Sequence, residues 1–457
     1  MNRLALTAIV TSVALASSAG HAAVAAPTSP KPVDCQQAIP GSWQWGWGTP
    51  IVVYGTVDFR ADKRMTYNDK EGTWRCDGVT ATLTWDGGKS VNRMVLAADG
   101  RTMRGTNGTG TLQVQATRTV PIQALSELKS RIASGDFGNI HSVVIMRNGK
   151  RLHEWYFSGS DERLGRRLGN ITFTADTLHD VRSVTKSVTS ILFGIALHDG
   201  AIKNLDQPVL DFFPEYPDLH TPDHMQIRLR DLLSMTSGLH WDERTIVYTD
   251  PRNSETAMNS AADRYRYILS QPVDAKPGTR WAYSGGDTAL IGEVVARATH
   301  TSLDVYAERK LFRPLHITQF EWIRDRKSIP MSAVGLRLRP RDMAKIGQLM
   351  LHHGRWGSAQ IVPADWVDSS TSRHAQLSPD LTCGRQYGHF WWLGTICDGN
   401  DHQPYYFANG NGGQMIWVDP SLGLVVVTTA GFYNSPAPDP SSIPLTVARL
   451  ERGKPGR

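Results

Sequence analysis

The chain has 457 residues, 40% hydrophobic and 20% charged, a globular composition with enough length for two or three units. Its formal charge of +6 comes from scattered Lys and Arg, with no basic run and no interleaved aromatics. That pattern excludes a nucleic-acid-binding surface and leaves at most a mild attraction to an anionic cell envelope.

Residues 1–26 stand apart. Arg3 precedes an apolar run over 4–16, and small residues follow, ending in Ala22-Ala23-Val24-Ala25-Ala26. This is the pattern of a secretory signal peptide with an Ala-x-Ala type cleavage site. The run is shorter than the ~18–20 residues that cross a bilayer, so cleavage and export to the periplasm or medium are expected, not a membrane-spanning anchor. No cysteine sits there to carry a lipid, and no later stretch is apolar enough to span. An oxidising compartment makes the four cysteines intelligible. Two local disulfides are expected, Cys35–Cys76 and Cys383–Cys397, although three pairings are open on paper. A zinc site would want Cys-x-x-Cys spacing, which is missing.

After a spacer with Pro27, Pro30 and Pro32, residues 35–119 read as a small all-β domain. Alternating runs over 51–59, 79–85, 91–97 and 111–118 are separated by Asp86-Gly87-Gly88, Asp99-Gly100 and Asn107-Gly108. That spacing suits a sandwich or barrel. Trp43, Trp45 and Trp47 fall on one face of a strand. Such a row fills the core of a small β domain, or offers an aromatic platform to a cell-envelope glycan; the core is the ordinary outcome. Residues 120–133 read as a helical connector.

The catalytic unit is expected over 134–452. It opens with a hairpin, 142–147 and 151–157, across Asn148-Gly149. A long, mostly helical region follows from Ser183 to Met350. Two strands, 415–418 and 423–429, close it across Asp419-Pro420. Strands at both ends with helices between them predict an α+β fold: an antiparallel sheet, with central strands from both termini, flanked by helices and a mostly helical subdomain.

The chemistry starts at Val181-Arg182-Ser183-Val184-Thr185-Lys186. Apolar positions at Val184, Val188, Ile191, Leu192, Ile195 and Ala196 have helical spacing, ending at Asp199-Gly200. Residues three apart meet on one helix face, so the Ser183 hydroxyl and Lys186 amine can touch. In the first turn, the Ser183 N–H is also unpaired and sits at the positive end of the helix dipole. Nucleophile, base and half an oxyanion hole can come from one short stretch. The bare Ser-x-x-Lys pattern is weak, since roughly one is expected by chance in such a chain. Ser126-Glu127-Leu128-Lys129 is a second copy, read as an ordinary charged helix.

Three further stretches lift Ser183 above that control. Pro277-Gly278-Thr279-Arg280-Trp281-Ala282-Tyr283-Ser284-Gly285 sets a tyrosine just ahead of a helix. Asn409-Gly410-Asn411-Gly412-Gly413-Gln414 precedes a closing strand. Asp231 to Glu243 leads into Tyr248-Thr249-Asp250-Pro251. In this order and at these separations, the chain resembles the serine β-lactamase and penicillin-binding-protein superfamily. It is most similar to the class C-related serine hydrolases, which include family VIII esterases and 6-aminohexanoate-dimer hydrolase. The likeness covers about 121–450 and includes Gly335 to Gly347 and Trp391-Trp392.

The resemblance implies Ser183 as the acylated nucleophile, Lys186 as its base and Tyr283 as the proton relay. It implies an oxyanion hole from the N–H groups of Ser183 and Asn411, and substrate contacts at Tyr248, Gly285 and Gly410. No cofactor or metal is implied. The substrate is expected to be a small or peptide-like ester or amide. Gly285 stands where β-lactamases of this type carry an asparagine, and Ala408-Asn409-Gly410 replaces their Lys-Thr-Gly, which argues against efficient β-lactamase activity. As a neutral base near pH 7, Lys186 would need its pKa to fall about 3 units, a cost of about 4 kcal/mol. Burial at a helix start away from carboxylates pushes that way; a charged Lys186 with the anion on Tyr283 is the open alternative.

Three rivals compete. A Ser-His-Asp hydrolase lacks any Gly-x-Ser-x-Gly elbow among the 15 histidines' possible partners. A metal site at His220 and His224 or His352-His353 lacks His-Glu-x-x-His spacing. A non-catalytic peptidoglycan- or envelope-binding sensor on the same scaffold would not need Ser183, Lys186 and Tyr283 together.

Overall fold

The computed structural model describes residues 34–47, 52–67, 70–97, 102–111, 113–118, 123–377, 380, 382–398, 401–435 and 441–453. The leader at 1–26, the Pro spacer and residues 120–122 of the connector lie outside them.

Alternation in the N-terminal part produces eight strands: β1 (Gly41–Trp47), β2 (Val52–Phe59), β3 (Arg64–Tyr67), β4 (Lys70–Asp77), β5 (Thr80–Trp85), β6 (Ser90–Leu96), β7 (Thr102–Asn107) and β8 (Gln113–Arg118). Each pairs with the next, and β1 returns to β8, with Trp43 opposite Arg118. The result is a closed barrel, which leaves no sheet edge exposed. Every second side chain turns inward: Trp43, Trp45, Phe59, Met65, Trp74, Leu83, Trp85 and Met94 are all buried. Trp43 donates its indole N–H to the Ile39 carbonyl at 2.8 Å. Trp43 and Trp45 are therefore core, and neither is free to form a glycan platform; the Trp47 side chain lies outside what is described. The Cys35–Cys76 disulfide, Cα atoms 6.2 Å apart, ties the short Cys35–Ala38 helix to β4.

The second sheet has eight strands in the order β10 (Lys150–Tyr156), β9 (Ile140–Arg147), Leu424–Ala430, Gln414–Asp419, Asp401–Gly410, Trp392–Asp398, Gln386–Tyr387, Ala375–Gln376. The β9–β10 turn holds Asn148 at φ 49° and Gly149 at φ 76°, the two left-handed residues that match hairpin twist. The first and last parts of the unit meet at its centre, with Val144 opposite Val427. Val143, Ile145, Trp417 and Val426 face the helices Leu125–Ala133 and Ser442–Arg452. Val144, Ile416, Val425 and Val427 face the opposite core, which holds the helices Val184–His198 and Pro340–Leu351. A strand buried on both faces reads as a continuous apolar run, and Leu424–Ala430 is buried at every position. Gly347 lets the Pro340–Leu351 helix lie directly on this sheet, since a Cβ there would meet Val425 Cγ1 at 2.5 Å.

The mostly helical region carries strands the sequence reading did not assign. Ser158–Arg163 pairs with Arg166–Thr172, and His179–Asp180 joins Phe320–Trp322 through Leu336–Leu338. This last small sheet aims the chain at the site. Cys383–Cys397, Cα atoms 6.0 Å apart, braces the Trp392–Asp398 strand.

Candidate active site

His179–Asp180 pairs with Leu336–Leu338, and Val181 N–H continues the ladder to the Leu336 carbonyl at 3.1 Å. The next residue, Arg182, turns the chain in the left-handed region at φ 49°, a conformation disfavoured for an arginine. Its guanidinium is ion-paired with Glu162 and lies 4.7 Å over the Tyr433 ring. Ser183 then starts the Val184–His198 helix, and its side chain makes no cap hydrogen bond. The hydroxyl is therefore left for chemistry. Neighbouring hydroxyls fasten the helix instead: Ser187 Oγ donates to the Phe390 carbonyl at 2.6 Å and Thr189 Oγ1 to the Ser332 carbonyl at 2.9 Å.

Lys186 is 1% exposed. Its Nζ donates to Ser183 Oγ at 3.1 Å and to the Ala333 carbonyl at 3.2 Å. The Tyr283 ring centroid is 5.1 Å from that nitrogen, and the buried phenol and the Lys186 charge act on each other. Trp392 stacks on Tyr283 with centroids 5.6 Å apart, and Trp281 flanks it at 6.2 Å. Hydroxyl, amine and phenol, the first and last 100 positions apart in the sequence, meet in one place.

 

Burial pulls the Lys186 amine down, but the charges of Tyr283, Glu255 and Glu243 outweigh it and hold Lys186 above the ordinary lysine range. Burial also raises the Tyr283 phenol, against the pull of the Lys186 charge. The resting pair is ammonium and phenol. This corrects the expectation of a lysine removed from carboxylates.

Those carboxylates were missed because nothing in local spacing joins Glu243 to Glu255. Both are buried, at 2% and 4% exposure. Glu243 Oε2 accepts from Trp241 Nε1 and from the Gly285 N–H, each at 2.7 Å, and the Tyr248 hydroxyl donates to Oε1 at 3.4 Å. Glu255 lies in the first turn of the Ser254–Ser260 helix, capped by Asn253. A Cβ on Gly285 would stand 3.0 Å from Glu255 Cδ and 3.1 Å from Glu243 Oε2. Gly285 is thus buried beside the two carboxyls with its N–H occupied by Glu243. Tyr248 does reach the cluster, through Glu243.

Gly410 is also a close-approach position: a Cβ there would meet the Val181 carbonyl at 2.3 Å. Its lack of a side chain lets the end of the Asp401–Gly410 strand lie against Val181 and Arg182, one residue before Asn411. The Asn411 side chain is fixed by Asn434, donating Nδ2–H at 2.6 Å and accepting the Asn434 N–H at 2.9 Å. Among the described residues, no acceptor takes the backbone N–H of Ser183 or Asn411. Ser126, the internal control, is exposed on a helix whose Leu125 and Leu128 are buried.

Comparison with known proteins agrees with this geometry. The Beta-lactamase family model matches residues 140–449. 6-Aminohexanoate-dimer hydrolase of Paenarthrobacter ureafaciens is 25% identical over 323 residues, 66% of this chain and 74% of that protein. Among solved structures, EstCE1, described as a hydrolase with promiscuous acyltransferase activity, aligns with TM-score 0.56 at 17% identity, over 72% of this chain and 98% of its own. A D-stereospecific amidohydrolase from Streptomyces sp. aligns with TM-score 0.52 at 17% identity, over 72% and 98%. With a matched family model spanning most of the chain and a Ser-x-x-Lys/Tyr constellation in place, this protein belongs to the Beta-lactamase family and is a serine hydrolase.

Proposed function

We propose that the protein is an exported hydrolase that transfers the acyl group of an ester or amide to Ser183 and then to water. The observation that carries this reading is the 3.1 Å contact of Lys186 Nζ with Ser183 Oγ beside the Tyr283 phenol. After the Lys186–Tyr283 pair has lost one proton, it accepts the proton of Ser183 as Oγ attacks the carbonyl carbon. The C–O bond forms and the carbonyl electron pair moves to oxygen. That oxyanion rests on the N–H groups of Ser183 and Asn411, each worth about 2.7–4 kcal/mol by analogy with measured donors. Collapse breaks the bond to the leaving alcohol or amine, which takes the proton from the pair. Water repeats the sequence on the acyl-enzyme and restores Ser183.

A β-lactam is a poor fit to this arrangement. Gly285 has no side chain to hold its amide, and the adjoining space is filled by Glu243 and Glu255. No lysine stands in Ala408-Asn409-Gly410 to hold its carboxylate. Trp281 and Trp392 beside Tyr283 favour an acyl or leaving group with apolar surface. Export is supported by the apolar leader in the sequence and by two disulfides.

Fluorophosphonate labelling and a panel of short p-nitrophenyl esters, a β-lactam and a D-amino-acid amide, run on wild type and Ser183→Ala, test the reading. Ester or amide turnover that disappears with Ser183 is expected. Equal signals from both forms would remove the nucleophile, and no labelling or turnover in wild type would favour the envelope-binding alternative.

A further inference from the structure

The buried carboxyl groups of Glu243 and Glu255 meet at one point, beside the backbone of Gly285 and next to the Lys186–Tyr283 pair. A Cβ on Gly285 would stand 3.0–3.2 Å from atoms of both, so the two acids are neighbours and each charge raises the cost of the other. Glu243 spends its acceptor capacity on Trp241, Gly285 and Tyr248. Glu255 stands beside it, its Oε2 3.2 Å and its Cδ 3.0 Å from that same Cβ position. Burial and the neighbouring Glu255 push the Glu243 carboxyl up to about 8.

We propose that Glu243 and Glu255 together form the counter-charge of Lys186, with the proton of the cluster on Glu243, and thereby set the pH at which the Ser183–Lys186–Tyr283 group becomes basic. Both are positioning residues, and the inference rests on the serine-hydrolase reading above. The groups facing the pair are Lys186 from the Val184–His198 helix, Tyr283 and Asp287 around the start of the Gly285–Thr299 helix, Tyr248 from its loop, and Tyr387 from the sheet. Lys186 is the cation among them. With one proton, the acid pair carries a single negative charge and balances it. Loss of that proton leaves two negative charges, which stabilise the ammonium of Lys186 and disfavour the phenolate of Tyr283. Both effects delay the basic form to higher pH.

Removing one carboxyl therefore has a fixed sign. In Glu255→Gln the remaining Glu243 ionises alone, so a second charge never develops. The rising alkaline limb of kcat/KM moves to lower pH, by about half a unit or more, a roughly threefold gain at fixed pH on that limb. Glu243→Gln moves it the same way, and the double variant moves it further. A merely structural pair would lower activity evenly and leave the limb in place. Infrared difference spectra in D2O at neutral pH, wild type minus each single variant, give an independent reading: a protonated-carboxyl band is expected in both, with the contribution of buried Asp287 cancelling.

An unmoved limb in Glu255→Gln, with turnover still dependent on Ser183, would overturn the inference and leave the hydrolase reading standing. If neither variant folds, absence of the wild-type carboxyl band would overturn it instead. Turnover independent of Ser183 would sink the hydrolase reading itself.

Discussion

Ser183 and Ser126 carry the same local pattern and have opposite fates, which shows where the information lies. Ser126 is exposed on an amphipathic helix, whereas Ser183 opens a helix buried from Val184 to Ala196. A lysine inside such a helix must find charge and acceptors within the fold. Lys186 finds Ser183, the Ala333 carbonyl and the Glu243–Glu255 pair. Lys186→Ala therefore does two things that Ser183→Ala does not. Both are expected to cut kcat by at least about 10³-fold. Only Lys186→Ala also strands a buried anion, costing about 3 kcal/mol near neutral pH and less in acid, as the carboxyls take up a second proton. Thermal unfolding of both variants across pH, beside their kinetics, separates the two effects. Tyr283→Phe keeps the stack on Trp392 and is expected to lose about 10²–10⁴-fold in kcat with little change in stability.

Helices and strands contribute chiefly by bringing remote ends together. The Asp401–Gly410 strand ends where Gly410 lies against Val181 and Arg182, so Asn411 and Ser183 each follow directly on this contact. Gly410→Ala would force these segments apart and draw the Asn411 N–H away from the oxyanion. The expected result is a fall of 10-fold or more in kcat with a smaller change in KM, as when an oxyanion donor is weakened; unchanged kcat in a folded variant would exclude this role. The central strands were readable because burial on both faces makes them continuously apolar, as in Leu424–Ala430. The Trp392–Asp398 and Asp401–Gly410 strands were not, because Gly394, Pro404 and Asn409 interrupt their alternation and only pairing with neighbours resolves them. The Val184–His198 helix was readable from its spacing, and the hairpin from Asn148-Gly149.

The folded chain also buries histidines that a surface count would overlook. His141 is fully buried, stacked on Phe173 at 3.9 Å, and bonded through Nε2 to the Ser160 carbonyl. Burial holds its pKa down at about 4, against 6.5 in the free side chain, and His179 and His389 are lowered in the same sense. The unfolded chain binds these protons first. Stability is therefore full above pH 6.5 and is lost as pH falls toward about 4, by up to about 3 kcal/mol from His141. Urea unfolding at a series of pH values checks this, and His141→Phe is expected to flatten the dependence. The separate barrel core, closed by β1 on β8 and tied by Cys35–Cys76, contains none of these rings.

Local chemistry marked many of the elements, while Ser183 was singled out from Ser126 only by distant stretches around Tyr283 and Asn411. Helical spacing, turn residues and apolar alternation act over a few residues, so the Val184–His198 helix, the barrel strands β1, β2, β5, β6 and β8 and both disulfide pairings could be read from the chain, whereas β3, β4 and β7 were not assigned. Proton placement could not. The charge state of Lys186 depends on Glu243, Glu255 and Tyr283, which arrive from separate elements, and the electrostatic coupling of buried groups is governed by distance in the folded protein, whatever their separation along the chain.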